Sequence, residues 1–132
     1  MAITGFDHVA ITVADVETTT AFYEKLLGAK RGFEYAPDGK VLVRELLLGG
    51  AKFNVHQQGN GIDLVAAKPT PGSVDLCFRW DQPIDTVAAL LAKHNIPIAD
   101  GPSPRTFSDG RKSLSIYFRD PDGNLIELMA AA

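Results

Sequence analysis

Histidine and carboxylate side chains recur at alternating positions in four short segments of the sequence, where they could hold a metal ion. In each segment apolar residues alternate with polar ones, so one side of a strand can face a helix while the other carries polar groups. These polar sides carry His8, Asn54, His56, Asp75 and Glu127. Imidazole nitrogens and carboxylate oxygens suit a divalent transition metal. If the polar sides meet, we expect two histidines and two carboxylates to converge on one ion.

The first half of the chain has the pattern of a β-α-β-β-β unit. Residues 7–13 alternate as a half-buried strand does, and the run that follows has helical spacing. Asp15 is the predicted N-cap of this helix, and Gly28 is its predicted C-terminal residue. The turn sequences Pro37-Asp38-Gly39 and Gly49-Gly50 then separate three predicted strands. These strands are Lys30–Tyr35, Val41–Leu48 and Lys52–Gln57.

The second half repeats this pattern after a connection rich in glycine and proline, Gln58–Gly72. A strand and a helix come first, and a hairpin turn at residues 120–123 joins the last two strands. The predicted elements are a strand at Val74–Trp80, a helix from Ile84 to near Asn95, and strands at Pro97–Arg105, Lys112–Arg119 and Asn124–Met129. We therefore expect one domain, residues 1–132, with one module at about 5–58 and another at about 73–129.

The composition is that of an ordinary globular protein and excludes several classes of partner. Of the 132 residues, 45% are hydrophobic and 22% are charged. The net charge is -3 and the 13 Lys and Arg form no basic run, which argues against nucleic-acid binding. No apolar stretch approaches the roughly 20 residues that span a bilayer, so no membrane partner is expected. The single cysteine, Cys77, and a start without signal-peptide features favour a cytoplasmic location.

Four stretches resemble the vicinal oxygen chelate superfamily, which comprises glyoxalases, bleomycin resistance proteins and dioxygenases. They are FDHVAITVADVETTTAFYEKLLG, KFNVHQ, PRTF and SIYFRDPDGNLIEL. More narrowly, they are similar to the glyoxalase domain-containing protein 5 group, and the resemblance runs from about Phe6 to Leu128. It implies an α+β fold, in which two β-α-β-β-β modules form a U-shaped mixed-sheet cup with the helices outside, around a metal ion.

The resemblance also assigns candidate metal ligands. His8 and Glu127 match metal-ligand positions of the superfamily, and His56 is the third predicted ligand. Asn54 stands where glyoxalase I has glutamate, and Asp75 stands where glyoxalase I and extradiol dioxygenases have histidine. The implied cofactor is a divalent ion, namely Fe, Mn, Ni or Zn, with positions left open for a substrate.

The chemistry implied by this site is that of a lyase or isomerase acting on a small oxygen-rich molecule. The ion would polarise a carbonyl or enolate oxygen, while Glu127 or Asp75 moves a proton as the catalytic carboxylate. Further side chains are expected to bind the substrate, and two of them could orient an anionic or planar group. The residues expected to bind the substrate are Asn54, Arg79, Arg105 and Tyr117. Arg105 and Tyr117 are the two that could orient an anionic or planar group.

Other interpretations remain open on the sequence. The protein could bind a small molecule without metal, as bleomycin-binding members do, or it could be a dioxygenase, which Asp75 in place of histidine makes less favourable. His56 could be a wall of the pocket, Asp75 could pair with Arg79, and Arg105 and Tyr117 could be ordinary surface and packing residues. The family's paired modules, completed within one chain or across a two-fold interface, predict a homodimer.

Overall fold

The computed structural model describes residues 2–132, which divide into two compact units, residues 2–71 (unit 1) and residues 72–132 (unit 2). Unit 1 contains β1 (Val9–Val13), α1 (Val16–Leu27), β2 (Lys30–Tyr35), β3 (Val43–Leu48) and β4 (Ala51–Gln57). Unit 2 contains β5 (Asp75–Trp80), α2 (Ile84–Lys93), β6 (Asp100–Thr106), β7 (Lys112–Arg119) and β8 (Leu125–Ala131). Both helices, of 12 and 10 residues, are too short to cross a bilayer.

Each unit is a four-stranded mixed sheet with one helix. The strand order is β1-β4-β3-β2 in unit 1 and β5-β8-β7-β6 in unit 2. In both, the first and last strands of the unit are parallel neighbours, and the other pairs are antiparallel. The predicted α+β fold with two β-α-β-β-β units is confirmed. That the two units form a single domain stays a prediction.

The core of each unit lies between its helix and one side of its sheet. The helix α1 contacts β3 and β4, and α2 contacts β7 and β8. Alternate residues of the strands are buried on this side, for example Phe53 and Val55 in β4 and Ile126 and Leu128 in β8. The opposite side of each sheet, which we call the open face, is therefore left to the polar residues of the same strands.

The ends of α1 follow the sequence prediction. The Oδ1 of Asp15 accepts a hydrogen bond from the backbone N–H of Glu17 at 3.2 Å, and Gly28 ends the helix in the left-handed region at φ 67°. Helix α2 ends at Lys93, before the predicted Asn95, which itself has φ 56°. A left-handed residue at this position cannot continue a helix, so the chain turns here.

Strand boundaries differ from the predictions where the backbone pairs differently. The third strand begins at Val43 rather than Val41, because residues before it belong to the turn. The sixth strand begins at Asp100 rather than Pro97, and proline has no N–H to donate to a neighbouring strand. The last strand extends to Ala131 rather than Met129, since its pairing with β7 continues to Ser113.

A buried hydrogen-bond network in the turn before β8 ties β5 to β8. The carboxylate of Asp120 accepts from the backbone N–H groups of Asp122 and Asn124, both at 3.0 Å, and from the side-chain amide of Asn124 at 2.9 Å. The side-chain oxygen of Asn124 in turn accepts from the backbone N–H of Val74 at 3.0 Å. This network positions the beginning of β5, where Asp75 lies, beside the beginning of β8.

One arginine is buried in unit 1 and holds β3 against α1. The guanidinium of Arg44 is only 3% exposed and donates to both oxygens of Glu17 at 2.8 and 2.9 Å. It also donates to Glu34 at 2.8 Å and to the hydroxyl of Thr20 at 2.9 Å. The hydrogen bond from Arg44 lowers the pKa of Glu17 below its ordinary value. This bidentate pair gives hydrogen-bond partners to the buried N–H groups of Arg44, and leaving these groups without partners would cost free energy of folding.

Replacing Arg44 should therefore destabilise the protein in a pH-dependent way. We expect Arg44→Met to lower the free energy of unfolding at pH 7 by about 2 kcal/mol. This loss is smaller than that for a fully buried ion pair, because water reaches Glu17 and Glu34. The folded-state pKa of Glu17 is lowered, so its stabilisation is present above the ordinary value of 4.5 and is lost as the pH falls further. Urea denaturation between pH 7 and pH 3 measures both effects, and the difference between the proteins should shrink at acid pH.

The exposed pair of Arg31 with Glu24, at 3.1 Å, provides the matched control in the same unit. We expect Arg31→Met to lower the stability less than Arg44→Met, because an exposed ion pair contributes little. Equal losses for the two variants, or a loss for Arg44→Met that persists unchanged at pH 3, would show that charge pairing is not what Arg44 provides.

Candidate functional site

The open face of unit 1 carries three of the residues singled out in the sequence. Asn54 and His56 lie on β4, half-buried, and their partners in the register with β1 are Ala10 and Thr12. His8 immediately precedes β1 and is exposed. The two histidines are close enough for the charge of His8 to act on His56. The structure thus brings both predicted histidine ligands to one face.

His8 has a carboxylate partner that the sequence analysis missed. Its Nδ1 lies 2.7 Å from Oδ1 of Asp7, and this contact holds the pKa of Asp7 below its ordinary value. A carboxylate can only accept, so Nδ1 of His8 donates this hydrogen bond, and in the neutral form of the ring Nε2 then has a lone pair to offer. Carboxylate–imidazole pairs of this kind orient the histidine ligands of metal sites. The donor chemistry of His8 therefore fits a divalent ion.

His56 has the opposite arrangement. Its Nδ1 lies 3.3 Å from the side-chain nitrogen of Asn60, which makes Nδ1 an acceptor. Burial lowers the pKa of His56, and the charge of His8 lowers it further when His8 is protonated, so both favour the neutral form of the His56 ring. A neutral imidazole whose Nδ1 accepts carries its proton on Nε2. As it stands, His56 presents an N–H group to its surroundings rather than a lone pair.

Two small clefts adjoin His56, between the open face and residues 59–69. Their volumes are about 110 and 80 Å³, and both are lined by Thr12, His56, Val65 and Pro69. The predicted connection Gln58–Gly72 contains no helix or strand, as expected, but its apolar side chains form one wall of these clefts. The prediction that this segment is only a linker was incomplete.

Glu127 is the centre of the open face of unit 2. It lies on β8 between Cys77 of β5 and Tyr117 of β7, which are its partners in the register on either side. The hydroxyl of Ser115 donates to Oε2 of Glu127 at 2.6 Å. A short hydrogen bond to an ionised acceptor is a strong one, so it fixes one carboxylate oxygen of Glu127. Ser115 was not singled out from the sequence.

Cys77 is affected by this carboxylate. Desolvation by the surrounding sheet face, then the charge of Glu127 and a hydrogen bond to it, raise the pKa of the Cys77 thiol to about 11. The sulfur also lies 3.8 Å from that of Met129. The thiolate is the reactive form of cysteine, so this residue is a poor nucleophile.

Arg105 and Tyr117 form a pair beside Glu127. The Nε of Arg105 donates to the hydroxyl of Tyr117 at 2.9 Å, and its Nη1 donates to the carbonyl of Pro104 at 2.8 Å. Asp100 is a looser neighbour, 3.8 Å from Nη2. Because the Tyr117 oxygen accepts from Arg105, its own O–H can donate elsewhere, and the guanidinium keeps further N–H groups. The pair can therefore bind an anionic group.

The remaining two predicted residues lie on the exposed edge strand of unit 2. Asp75 and Arg79 are both on the open face of β5, and within residues 2–132 they form no ion pair with each other. Arg79 lines a groove of about 610 Å³ together with Trp80, Phe107 and Arg111. The alternative of an ion pair between Asp75 and Arg79 is thus not observed.

The predicted convergence of four ligands, which draws on both units, stays a prediction. Among residues 2–132, no three His, Cys, Asp or Glu side chains are grouped so that they could hold one ion. The structure instead gives one histidine pair on the open face of unit 1 and one hydrogen-bonded glutamate on that of unit 2. His8 and Glu127 have the donor atoms and the orienting partners that a metal ligand needs.

Comparison with known proteins finds relatives along nearly the whole chain. The sequence model of the Glyoxalase/Bleomycin resistance protein/Dioxygenase superfamily matches residues 5–128. Virulence protein STM3117 of Salmonella typhimurium is 43% identical over 128 residues, covering 97% of this chain and 85% of that protein. Glyoxalase domain-containing protein RDO1 of Mycosarcoma maydis is 38% identical over 128 residues, covering 97% of this chain and 69% of that protein.

Solved structures have the same fold. The crystal structure of the Salmonella virulence protein superposes with a TM-score of 0.86 at 40% identity and covers 100% of both chains. FosX, a fosfomycin resistance protein of Listeria monocytogenes crystallised with Mn(II) and sulfate, superposes with a TM-score of 0.68 at 21% identity, covering 98% of this chain and 92% of that one. The likeness to FosX shows the fold, and FosX shows that a protein of this fold binds a divalent metal.

The contact between Glu127 and Cys77 predicts a change in thiol reactivity. With a pKa of about 11, roughly one Cys77 thiol in a thousand is ionised at pH 8. Removing the charge with Glu127→Gln should lower this pKa and speed alkylation by iodoacetamide about fivefold, since one pKa unit corresponds to a factor of ten. The rate is measured by mass spectrometry of the intact protein in EDTA, from pH 7 to 9.

Asp75→Asn serves as the matched control, because Asp75 raises the pKa of Cys77 through charge alone and less strongly than Glu127 does. We expect a smaller acceleration for this variant. Equal rates for the parent and Glu127→Gln, with both proteins folded, would rule out the contact.

Proposed function

The chain belongs to the glyoxalase/bleomycin resistance protein/dioxygenase superfamily, and on this premise we propose that it is a metal-dependent enzyme of the lyase or isomerase type. Its substrate in this proposal is a small oxygen-rich molecule. The observation that carries the proposal is the contact of Asp7 with His8, which leaves Nε2 of His8 with its lone pair free for an ion. The proposal is supported by FosX, a protein of the same fold that was crystallised with Mn(II).

The ligands in this proposal are His8 and Glu127. Both are on open faces, and each has one neighbour, Asp7 or Ser115, that fixes its proton or its orientation. Fe, Mn, Ni and Zn are the candidate ions, because all four accept imidazole and carboxylate. His56, predicted as a third ligand, enters the proposal as a substrate contact, because Asn60 leaves the proton on its Nε2.

Each remaining polar residue then has a stated role. A bound ion would polarise a carbonyl oxygen of the substrate. Glu127 is half-buried and held by Ser115, so it can take up a proton when it is not a ligand, and the exposed Asp75 is the second candidate for that step. Arg105 with Tyr117 would bind an anionic part of the substrate. Asn54 and Arg79 are further substrate contacts in this proposal.

A cytoplasmic homodimer is also part of the proposal. Several large apolar side chains of unit 1 are exposed, among them Phe6 and Leu64 at 95% and Phe33 at 71%. Exposed apolar groups of this size are usually covered by a partner, and a second copy of the chain would cover them symmetrically. The single free cysteine is compatible with the reducing conditions of the cytoplasm.

A second candidate function is binding of a small molecule without turnover, as in bleomycin resistance proteins. The clefts beside His56 favour it, because apolar walls with a few polar groups are typical of ligand pockets. The two candidates differ in their need for His8 and Glu127, which only the enzyme requires together.

The metal proposal predicts that Asp7 matters although it would not touch the ion. We expect Asp7→Asn to weaken Mn(II) or Zn(II) binding by about 10- to 100-fold, the usual effect of removing the partner of a histidine ligand. Glu127→Gln should weaken it at least as much. Isothermal titration calorimetry on metal-free protein measures the affinities, with circular dichroism to confirm folding.

His94→Ala is the control, because His94 lies at the end of α2, away from the open face, and should bind metal like the parent. If His94→Ala lowers the affinity and Asp7→Asn does not, the ion is bound elsewhere. If the parent itself takes up no ion, the enzyme proposal is wrong and the binding function becomes the better explanation.

A further inference from the structure

The two clefts beside His56 contain no charged side chain. Besides the four shared residues, the larger is lined by Gln57, Gly59, Asn60, Gly61 and Ile62, and the smaller by Ala10, Leu64 and Ala66. The larger has a volume of about 110 Å³, which limits it to a small group. A charged group placed here would lose its hydration without gaining an opposite charge. The clefts therefore suit a small, uncharged group.

The orientation of Asn60 is fixed by its own hydrogen bonds. Its side-chain oxygen accepts from the backbone N–H of Ile62 at 3.0 Å, and a backbone N–H can only donate. The amide nitrogen must then face the other way, where it donates to the carbonyl of Leu42 at 3.3 Å and to Nδ1 of His56 at 3.3 Å. Reversing the amide would break the contacts with the N–H of Ile62 and with the carbonyl of Leu42. The tautomer of His56, with its proton on Nε2, follows from this chain of contacts.

The Nε2–H group of His56 is the donor that this cleft offers to a ligand. Its side chain is half-buried, and no group within residues 2–132 accepts a hydrogen bond from Nε2. An unsatisfied donor in a partly apolar cleft gains from any acceptor that reaches it. The hydroxyl of Thr12, opposite His56 in the strand register, is a second polar group on the same wall.

We infer that the two clefts form one binding subsite for an uncharged group that carries a hydrogen-bond acceptor and a short alkyl chain, such as a ketone or an ester. The acceptor oxygen accepts a hydrogen bond from the Nε2–H of His56, and the alkyl part packs against Val65, Leu64 and Pro69. This subsite goes beyond the proposed enzymatic function, because it requires neither a metal ion nor turnover. It also makes His56 and Val65 the residues that select for the uncharged part of a ligand.

The pair of probes 2-butanone and propionate tests the inference, because the two molecules have nearly the same shape and differ in charge. Each is titrated into the whole protein in EDTA, so the result does not depend on the metal proposal. The readout is the NMR chemical shifts of the Ile62 and Val65 methyl groups and of the His56 ring nitrogens. We expect saturable shifts with 2-butanone and much smaller ones with propionate.

The ring-nitrogen shifts of the free protein provide a separate check. They distinguish a protonated from an unprotonated imidazole nitrogen, and we expect the proton on Nε2 in the parent. In Asn60→Asp the carboxylate accepts from Nδ1, so the proton should move to Nδ1 and the binding of 2-butanone should weaken about fivefold, the effect of one neutral hydrogen bond.

Two variants at His56 keep the inference testable if Asn60→Asp does not fold. His56→Gln retains an N–H donor at a similar reach and should keep measurable binding, whereas His56→Leu keeps the apolar shape and should weaken 2-butanone about fivefold or more. The inference is overturned if the parent has its proton on Nδ1, if propionate binds as well as 2-butanone, or if 2-butanone causes no saturable shifts below the concentration that unfolds the protein.

Discussion

Burial of one side of each sheet against its helix is the constraint on which the placement of every polar residue depends. In unit 1, Val55 is fully buried and Phe53 is nearly so, and in unit 2 the same holds for Ile126 and Leu128. A shift of one residue in the register would expose these apolar side chains and bury polar ones, at a cost of several kcal/mol (roughly 1.5–3 for each side chain). Because neighbouring residues of a strand point to opposite sides, His56 and Glu127 must lie on the open face. The chemistry of the protein is thus a consequence of how its core is packed.

The open faces share a second feature, in that each candidate functional group has one neighbour that decides where its proton or lone pair lies. Asp7 accepts from Nδ1 of His8, so the lone pair of the neutral ring is on Nε2. Asn60 donates to Nδ1 of His56, so the proton of that ring is on Nε2. Ser115 donates to one carboxylate oxygen of Glu127. Two histidines on the same face thereby acquire different chemistry from their neighbours alone. In the two proposals, His8 serves a metal ion and His56 serves a neutral acceptor.

The elements and faces could be predicted because they depend on the period of the apolar residues. The second and seventh strands, Lys30–Tyr35 and Lys112–Arg119, begin and end as predicted, and strand alternation placed His56 and Glu127 correctly on the polar side. The partners of these residues could not be predicted in the same way. Ser115 of β7 contacts Glu127 diagonally on the neighbouring strand β8. Asn60 contacts His56 from a loop, in which the apolar residues have no regular spacing. The role of Arg44 was also missed. The alternation of β3 places Arg44 on the buried side of the sheet, where a charged residue is not expected, and only the structure shows that Glu17 pairs with it there.

Crystals of the protein soaked with Mn(II), with data collected for the anomalous signal of manganese, test most directly whether the open faces provide a metal site. We predict one strong anomalous peak within bonding distance of Nε2 of His8 and of a carboxylate oxygen of Glu127, with the contact of Asp7 to Nδ1 of His8 retained. A well-ordered structure with no peak at these two side chains, or with the ion bound elsewhere, would contradict the proposal.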